Sequence, residues 1–337
     1  MPEFGRPVRV LEGVRADDLP TAATEPAEPV LLRGLVRDWP AVQAGRESAG
    51  AVMAYLRRFY VDATVNAVRV PAHHRGRVFY NADLSGFNFE PLRLRLDAVL
   101  AELEALAREP EPATLYVGST TVDTCLPGFR GENDLAFGAQ HPLASIWLGN
   151  RSRVAAHFDL PDNLACSVAG RRRFTLFPPA AIVNLYPGPI DFTPAGQTVS
   201  MVDFHAPDFE RFPRFAQAMA QAQVAELEPG DALVIPSLWW HHVEAGGAFN
   251  VLINYWWRRS PAYMDPPANV LDYALLALRD LPPEQRAAWH EVFRYYVFEF
   301  DPATTDHLPA GSRGVLGPLD DTHARSLRAQ IRNRLNR

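Results

Sequence analysis

The stretch Val154-Ala155-Ala156-His157-Phe158-Asp159-Leu160-Pro161-Asp162-Asn163-Leu164-Ala165-Cys166-Ser167-Val168 decides the fold. Two short apolar runs, Val154–Phe158 and Leu164–Val168, flank a cluster of turn formers, a pattern of strand, turn and strand. Residues two apart on a strand point to one face, so His157 and Asp159 converge. An imidazole and a carboxylate on one face supply two ligands of a two-histidine, one-carboxylate facial triad. That triad leaves positions of an octahedral Fe(II) open. A His-x-Asp pair is common by chance, so the reading turns on a third ligand from a later strand.

The same texture extends from Thr114 to Trp257, where short runs rich in Val, Ile, Phe and Trp alternate with Pro, Gly, Asn and Asp. Besides the two strands above, it predicts Thr114–Val117, Ala144–Leu148, Arg173–Phe177, Ala232–Ile235, Trp240–Glu244 and Phe249–Trp256. Short strands at this density indicate a mainly β protein, a sandwich or closed barrel with flanking helices. The third ligand arises in Gly230-Asp231-Ala232-Leu233-Val234-Ile235-Pro236-Ser237-Leu238-Trp239-Trp240-His241-His242-Val243. Neighbours on a strand face opposite sides, so only one of His241 and His242 can join His157 and Asp159. Spacing does not decide between them.

The flanks read as helical. Ser48 to Tyr60 places Val52, Tyr55, Leu56 and Phe59 on one face, and a second helix is expected from Pro91 to about Arg108. An apolar segment, Val30-Leu31-Leu32, precedes both. After Pro261, Val270, Tyr273, Ala274, Ala277 and Leu278 form one stripe. Trp289, Val292, Phe293, Tyr296, Val297 and Phe300 form another. This aromatic stripe either packs on its own barrel or is buried against a partner subunit. Asp320 to Arg337 is a short helix with acidic residues first and Arg325, Arg328, Arg332, Arg334 and Arg337 last, matching the helix dipole. The expected organisation is 1–113 as decoration of a barrel, 114–260 as its core and 261–337 as C-terminal helices.

Composition narrows the class. The 337 residues carry a net charge of −6, and all 33 basic residues are arginine. Thirty prolines divide the chain into short pieces, and hydrophobic content of 47% suits a folded protein. The acidic balance argues against nucleic acid as a partner. No apolar run suits a membrane span and no secretory leader is visible. Two cysteines, Cys125 and Cys166, make no disulfide framework. A cytoplasmic protein is expected.

Taken together, His157-Phe158-Asp159, Gly170-Arg171-Arg172-Arg173-Phe174-Thr175-Leu176-Phe177-Pro178-Pro179, Val202-Asp203-Phe204, Trp239-Trp240-His241-His242 and Asn254-Tyr255-Trp256 resemble the JmjC/cupin-like 2-oxoglutarate oxygenases. The most similar branch is the asparaginyl hydroxylase called factor inhibiting hypoxia-inducible factor. The resemblance implies a double-stranded β-helix, a jelly-roll barrel with Fe(II) held by His157, Asp159 and His241, and His242 turned away. It implies 2-oxoglutarate as cosubstrate and O2 as oxidant, with hydroxylation of a C–H bond and release of succinate and CO2. Arg172 takes the place of the lysine that holds the far carboxylate of 2-oxoglutarate in the nearest relatives, and Tyr116 matches a tyrosine on the same carboxylate. Val154 stands where that branch has a threonine, so one hydroxyl is missing. Asn163, Asn254, Trp256 and Ile146 are the other residues expected around the cosubstrate. Phe79, Tyr80 and Trp240 are the candidates for substrate contact, and the aromatic wall of Trp147, Trp239, Trp240, Trp256 and Phe158 would exclude water. The implied substrate is a protein or peptide side chain, with a small metabolite second, and the C-terminal helices imply a homodimer. Two alternatives stand beside this: a cupin that binds a metal or small molecule without oxidation, and a cupin metalloenzyme of another kind. The latter commonly adds histidine ligands, whereas here His205 sits in an insertion, His141 before a strand and His73-His74 in a loop.

Overall fold

Alternating apolar residues and turn formers resolve into β1 (Arg6–Pro7), β2 (Arg9–Leu11), β3 (Val30–Leu32), β4 (Thr64–Val70), β5 (Arg77–Val78), β6 (Glu90–Arg95), β7 (Thr114–Thr121) and β8 (Leu143–Gly149). They continue with β9 (Ser152–Phe158), β10 (Asp162–Ala169), β11 (Arg172–Phe177), β12 (Gln223–Leu227), β13 (Ala232–Ile235), β14 (Trp240–Ala245) and β15 (Asn250–Trp257). This computed structural model describes residues 4–138 and 140–336. The chain divides into two units, Met1–Arg258 and Arg259–Arg337.

In the first unit the strands form a six-stranded sheet, β1-β12-β11-β14-β9-β5, and a nine-stranded sheet, β2-β3-β13-β10-β15-β8-β7-β4-β6. From β8 onward the chain alternates between the sheets: β8, β10, β13 and β15 lie in the larger, β9, β11, β12 and β14 in the smaller. Only β11 to β12 stays within one sheet. Two four-stranded layers wound this way are a jelly roll. All eight residues of β10 are buried, because both faces of this strand are covered. Its inward residue Ala165 packs with Phe174, Leu176, Leu233 and Leu252 between the sheets. Its outward residues Leu164, Cys166 and Val168 join Val52, Leu56, Leu96, Leu100 and Leu103 of the flanking helices Ala49–Arg57 and Leu96–Leu106. The outer face of the smaller sheet is covered by the insertion between β11 and β12, where Leu185, Phe204 and Phe215 pack on Phe177 and Trp240.

Three expectations change. Pro91 does not open a helix. Leu92 and Leu94 alternate with Arg93 and Arg95, and β6 pairs antiparallel with β4 along Glu90–Arg95, so the helix starts only at Leu96. The core strand β12 and the strand β4, which lies between β7 and β6, are additions to the expected set. The aromatic stripe also ends early. The helix Pro283–Phe293 gives way to a π-helical turn at Arg294–Phe298, which inserts extra residues and breaks the 3.6-residue period.

In the second unit Trp289, Val292, Tyr296, Val297 and Phe300 are all exposed. The helix Asp321–Leu335 is capped by Asp320, whose side chain accepts from the backbone N–H of Thr322 and His323. Arg337, the last of the expected basic run, lies outside the described residues.

Candidate metal centre

The antiparallel pairing of β9 with β14 sets His157 directly opposite His241, and Asp159 follows at the end of β9. One ligand atom from each of the three lies within 4.8 Å of the others. His241 Nε2 is 3.7 Å from Asp159 Oδ2. His157 Nδ1 donates to the carbonyl of Ala155 at 2.8 Å, and His241 Nδ1 donates to that of Trp239 at 3.0 Å. A carbonyl can only accept, so each Nδ1 carries a proton, the tautomer whose Nε2 lone pair is the one offered to a metal. Burial, and next the neighbouring His157, push the His241 imidazole down to about 4, so it is neutral near pH 7.

Asp159 is oriented by a line of polar side chains on the larger sheet. Trp256 Nε1 donates to Asp159 Oδ2 at 3.1 Å, and Asn163 Nδ2 donates to the same oxygen at 3.3 Å. Asn254 Nδ2 donates to Asn163 Oδ1 at 3.1 Å, and Asn254 Oδ1 accepts from Trp147 Nε1 at 2.7 Å. An asparagine inside an apolar strand is costly unless bonded; here both asparagines are links in one chain. The corner before β14 is fastened to the turn after β9. Leu238 N–H donates to the Asp159 carbonyl at 2.9 Å, and Ser237 N–H donates to Asp162 Oδ1 at 2.9 Å.

These residues open into a cavity of about 580 Å³ between the sheets. Arg172, Tyr116, Val154, Trp147, Asn163, Asn254 and Trp256 line it together with His157, Asp159 and His241. Arg172 is 3% exposed, and its Nε has no hydrogen-bond partner. It forms no ion pair among the described residues. Burial pulls its guanidinium down to about 10, with Tyr116 opposing, so it is still charged near neutrality. Burial pushes the Tyr116 phenol up to about 12, against the pull of Arg172.

Several expected contacts fall elsewhere. Ile146 does not line the cavity: Trp147 takes the inward face of β8, so Ile146 points outward into the helix-covered core. Trp240 and Phe158 stack edge to face on the outer side of the smaller sheet, because His241 holds the inward position. Trp239 is packed among the barrel's apolar residues and does not line the cavity. Phe79 and Tyr80 are buried against Ala155 and Val199, with the Tyr80 hydroxyl donating to the Phe192 carbonyl at 2.6 Å. Their neighbour Val78 reaches the cavity instead. Unanticipated lining residues are Asn66, Val68 and Arg93, on β4 and β6, with Pro194 and Ala195 from the insertion. The alternation of Val65, Ala67 and Leu92, Leu94 carried the signal that could have found the first three.

Fold and cluster together define a jelly-roll barrel able to hold a metal ion at a 2-His-1-carboxylate set. The chain belongs to the cupin-like domain family, which it matches over residues 16–263, and the JmjC/cupin-like resemblance holds at that level. It is 33% identical over 192 residues to "Lysine-specific demethylase JMJ31" of Arabidopsis thaliana, covering 50% of this chain and 33% of that protein. It is 34% identical over 145 residues to "tRNA wybutosine-synthesizing protein 5" of Gallus gallus, covering 39% and 42%. With "HSPB1-associated protein 1" of Mus musculus it shares 26% identity over 282 residues, covering 75% and 52%. The chain thus spans about half or less of the length of these relatives.

Proposed function

We propose that the chain is an Fe(II)- and 2-oxoglutarate-dependent oxygenase that hydroxylates a C–H bond, with release of succinate and CO2. The observation that carries this reading is Arg172: a buried, charged guanidinium without a carboxylate partner, lining the same cavity as His157, Asp159 and His241. A buried ion left unpaired costs about several kcal/mol, and an anionic ligand in the cavity removes that cost. A dicarboxylate with one end at the metal set and the other at Arg172 uses both features.

The donor set fits ferrous iron: two imidazole Nε2 atoms, one carboxylate and an open side toward the cavity. Iron and 2-oxoglutarate supply the oxidising chemistry when bound. The chain's own residues bind and orient. Asn163 and Trp256 fix the Asp159 carboxylate, Arg172 and Tyr116 receive the far carboxylate, and Trp147 and Trp256 narrow the space open to water. Val154 offers no hydroxyl, so Arg172 carries most of that anchoring.

For substrate we favour a protein or peptide side chain, in line with the lysine-directed name of one relative; a small metabolite would bind the same mouth. The exposed aromatic face of the second unit supports a homodimer, and two buried free thiols suit the cytoplasm. An anaerobic titration with Fe(II) and 2-oxoglutarate tests the reading. The weak visible charge-transfer band of the chelate is expected in the wild-type chain and absent in His157→Ala. A chain that binds iron without giving this band would sink it.

A further inference from the structure

A second cluster lies on the other side of the strand that carries His241. Alternation along β14 turns His242 and Glu244 outward, and the insertion between β11 and β12 lays Asp203-Phe204-His205 over them. His205 Nε2 meets Glu244 Oε1, His242 Nε2 lies 3.9 Å from Glu244 Oε2, and one ligand atom from each of the three lies within 4.8 Å of the others. His242 is 5% exposed, and neither of its ring nitrogens has a hydrogen-bond partner; Glu244 Oε2 has none either. Thr175, directly opposite His242 on β11, adds an unpartnered hydroxyl on the same face.

A neutral imidazole carries one donor and one acceptor, and leaving a buried polar atom unpaired costs roughly 1–3 kcal/mol. Here two such atoms, His242 Nε2 and Glu244 Oε2, face each other beside the His205 imidazole. We propose that His205, His242 and Glu244 form a second divalent transition-metal site, of the zinc class, that fastens the insertion to the outer face of the smaller sheet. Two imidazoles and a carboxylate suit that class, with ligand bonds of about 2.0–2.2 Å. Donors around a tetrahedral ion then stand roughly 3.3–3.6 Å apart, so His242 and Glu244 need to close by only a few tenths of an ångström. His205 lies on a loop and is partly open to solvent, which gives the ion a way in and leaves a fourth position for water.

The nearby cations are themselves matched by a carboxylate. Arg77 and Arg153 are turned to Asp203, at 3.3 and 3.5 Å, and Arg153 also donates to the carbonyls of Arg75 and His74. The competing account is a plain His205–Glu244 ion pair, which leaves both His242 ring nitrogens without a hydrogen-bond partner among the described residues.

The inference does not depend on the oxygenase reading, and one experiment separates them. The metal-stripped chain is titrated with Co(II), following the visible bands and the bound metal by elemental analysis. The wild type is expected to hold two ions per chain, His205→Ala one, and the His157→Ala, Asp159→Ala double variant one, with its bands lost when His205→Ala is added. Glu244→Gln should weaken the outer ion at least 10-fold. If the double variant binds no Co(II) while its circular dichroism stays native, or if His205→Ala leaves the stoichiometry unchanged, the outer site is overturned. A single ion that survives the double variant and is lost in His205→Ala would instead uphold the outer site and sink the inner centre.

Discussion

Asp159 and Arg172 face the same cavity and are held by opposite means. Asp159 is gripped through one oxygen by Asn163 and Trp256, whereas Arg172 is left without an anion. Removing one grip changes the metal set without removing a ligand. Trp256→Phe is expected to weaken Fe(II) binding by roughly 10–100-fold, measured by anaerobic titration. Removing Arg172 acts at the other end. Arg172→Ala should raise the dissociation constant for 2-oxoglutarate by about 10–100-fold, the worth of charge-assisted hydrogen bonds, with Fe(II) stoichiometry unchanged. Normal affinity in that variant would disprove the anchor. At this scale legibility followed strand parity. His157 and Asp159 could be paired because they lie two apart, and Arg172 could be set apart from Arg171 and Arg173. Ile146 was misplaced because parity gives two faces without saying which is inward; Trp147, one residue on, holds that position. Phe79 and Tyr80 were misplaced because a loop leaves no parity to read.

The elements that aim these side chains depend on tight corners. Gly170, between β10 and β11, has φ of +73°, and a Cβ there would stand 2.2 Å from Asn250 Oδ1 and 2.8 Å from the Phe249 carbonyl. The turn fixes the register of β11 and hence the inward direction of Arg172, two residues later. Gly170→Ala should lose at least about 1–2 kcal/mol of stability from the backbone conformation alone, read from urea unfolding, and should weaken 2-oxoglutarate binding. Leu238 occupies the same left-handed region, φ +65°, at the corner leading to His241. It is exposed, so Leu238→Gly loses little burial and relieves roughly 1–2 kcal/mol of backbone cost against about 0.5–1 kcal/mol of added chain entropy. Equal or slightly higher stability is expected, and a loss beyond 1 kcal/mol would show that the side chain itself holds the corner. Core strands were legible because they are apolar on both faces. The edge strand β6 was not, because Pro91 ahead of a leucine-rich run suits a helix start and an edge strand equally. Long-range pairing with Thr64–Arg69 made the choice.

For the whole molecule, burial makes a direct chemical prediction. Cys125 and Cys166 are both buried, and burial pushes the Cys125 thiol up to about 12 and that of Cys166 higher still. A disulfide-exchange reagent should find no fast thiol in the native chain and two after denaturation; rapid reaction in the native chain would contradict the burial of these two cysteines. In the second unit, Trp289 and Val292 are exposed. Sedimentation should give a dimer for the wild type and a monomer for Trp289→Glu with Val292→Glu, whereas a monomeric wild type would remove the dimer proposal. The barrel was legible from strand density and two His-bearing segments. The π-helical turn was not, because an inserted residue leaves the sequence looking periodic until a backbone is traced through it.

The hydrogen-bonded line behind Asp159 also gives the molecule an optical property. Its two ends are indoles, Trp147 and Trp256, with ring centres 5.8 Å apart and planes at 90°. Chromophores this close share their excitation, and one of them donates its N–H to the carboxylate that would hold the ion. An ion arriving at Asp159 polarises that indole directly, while one held by His205 and His242 does not touch either ring. Near-ultraviolet circular dichroism can therefore tell which of the two centres fills first, with no label attached to the chain.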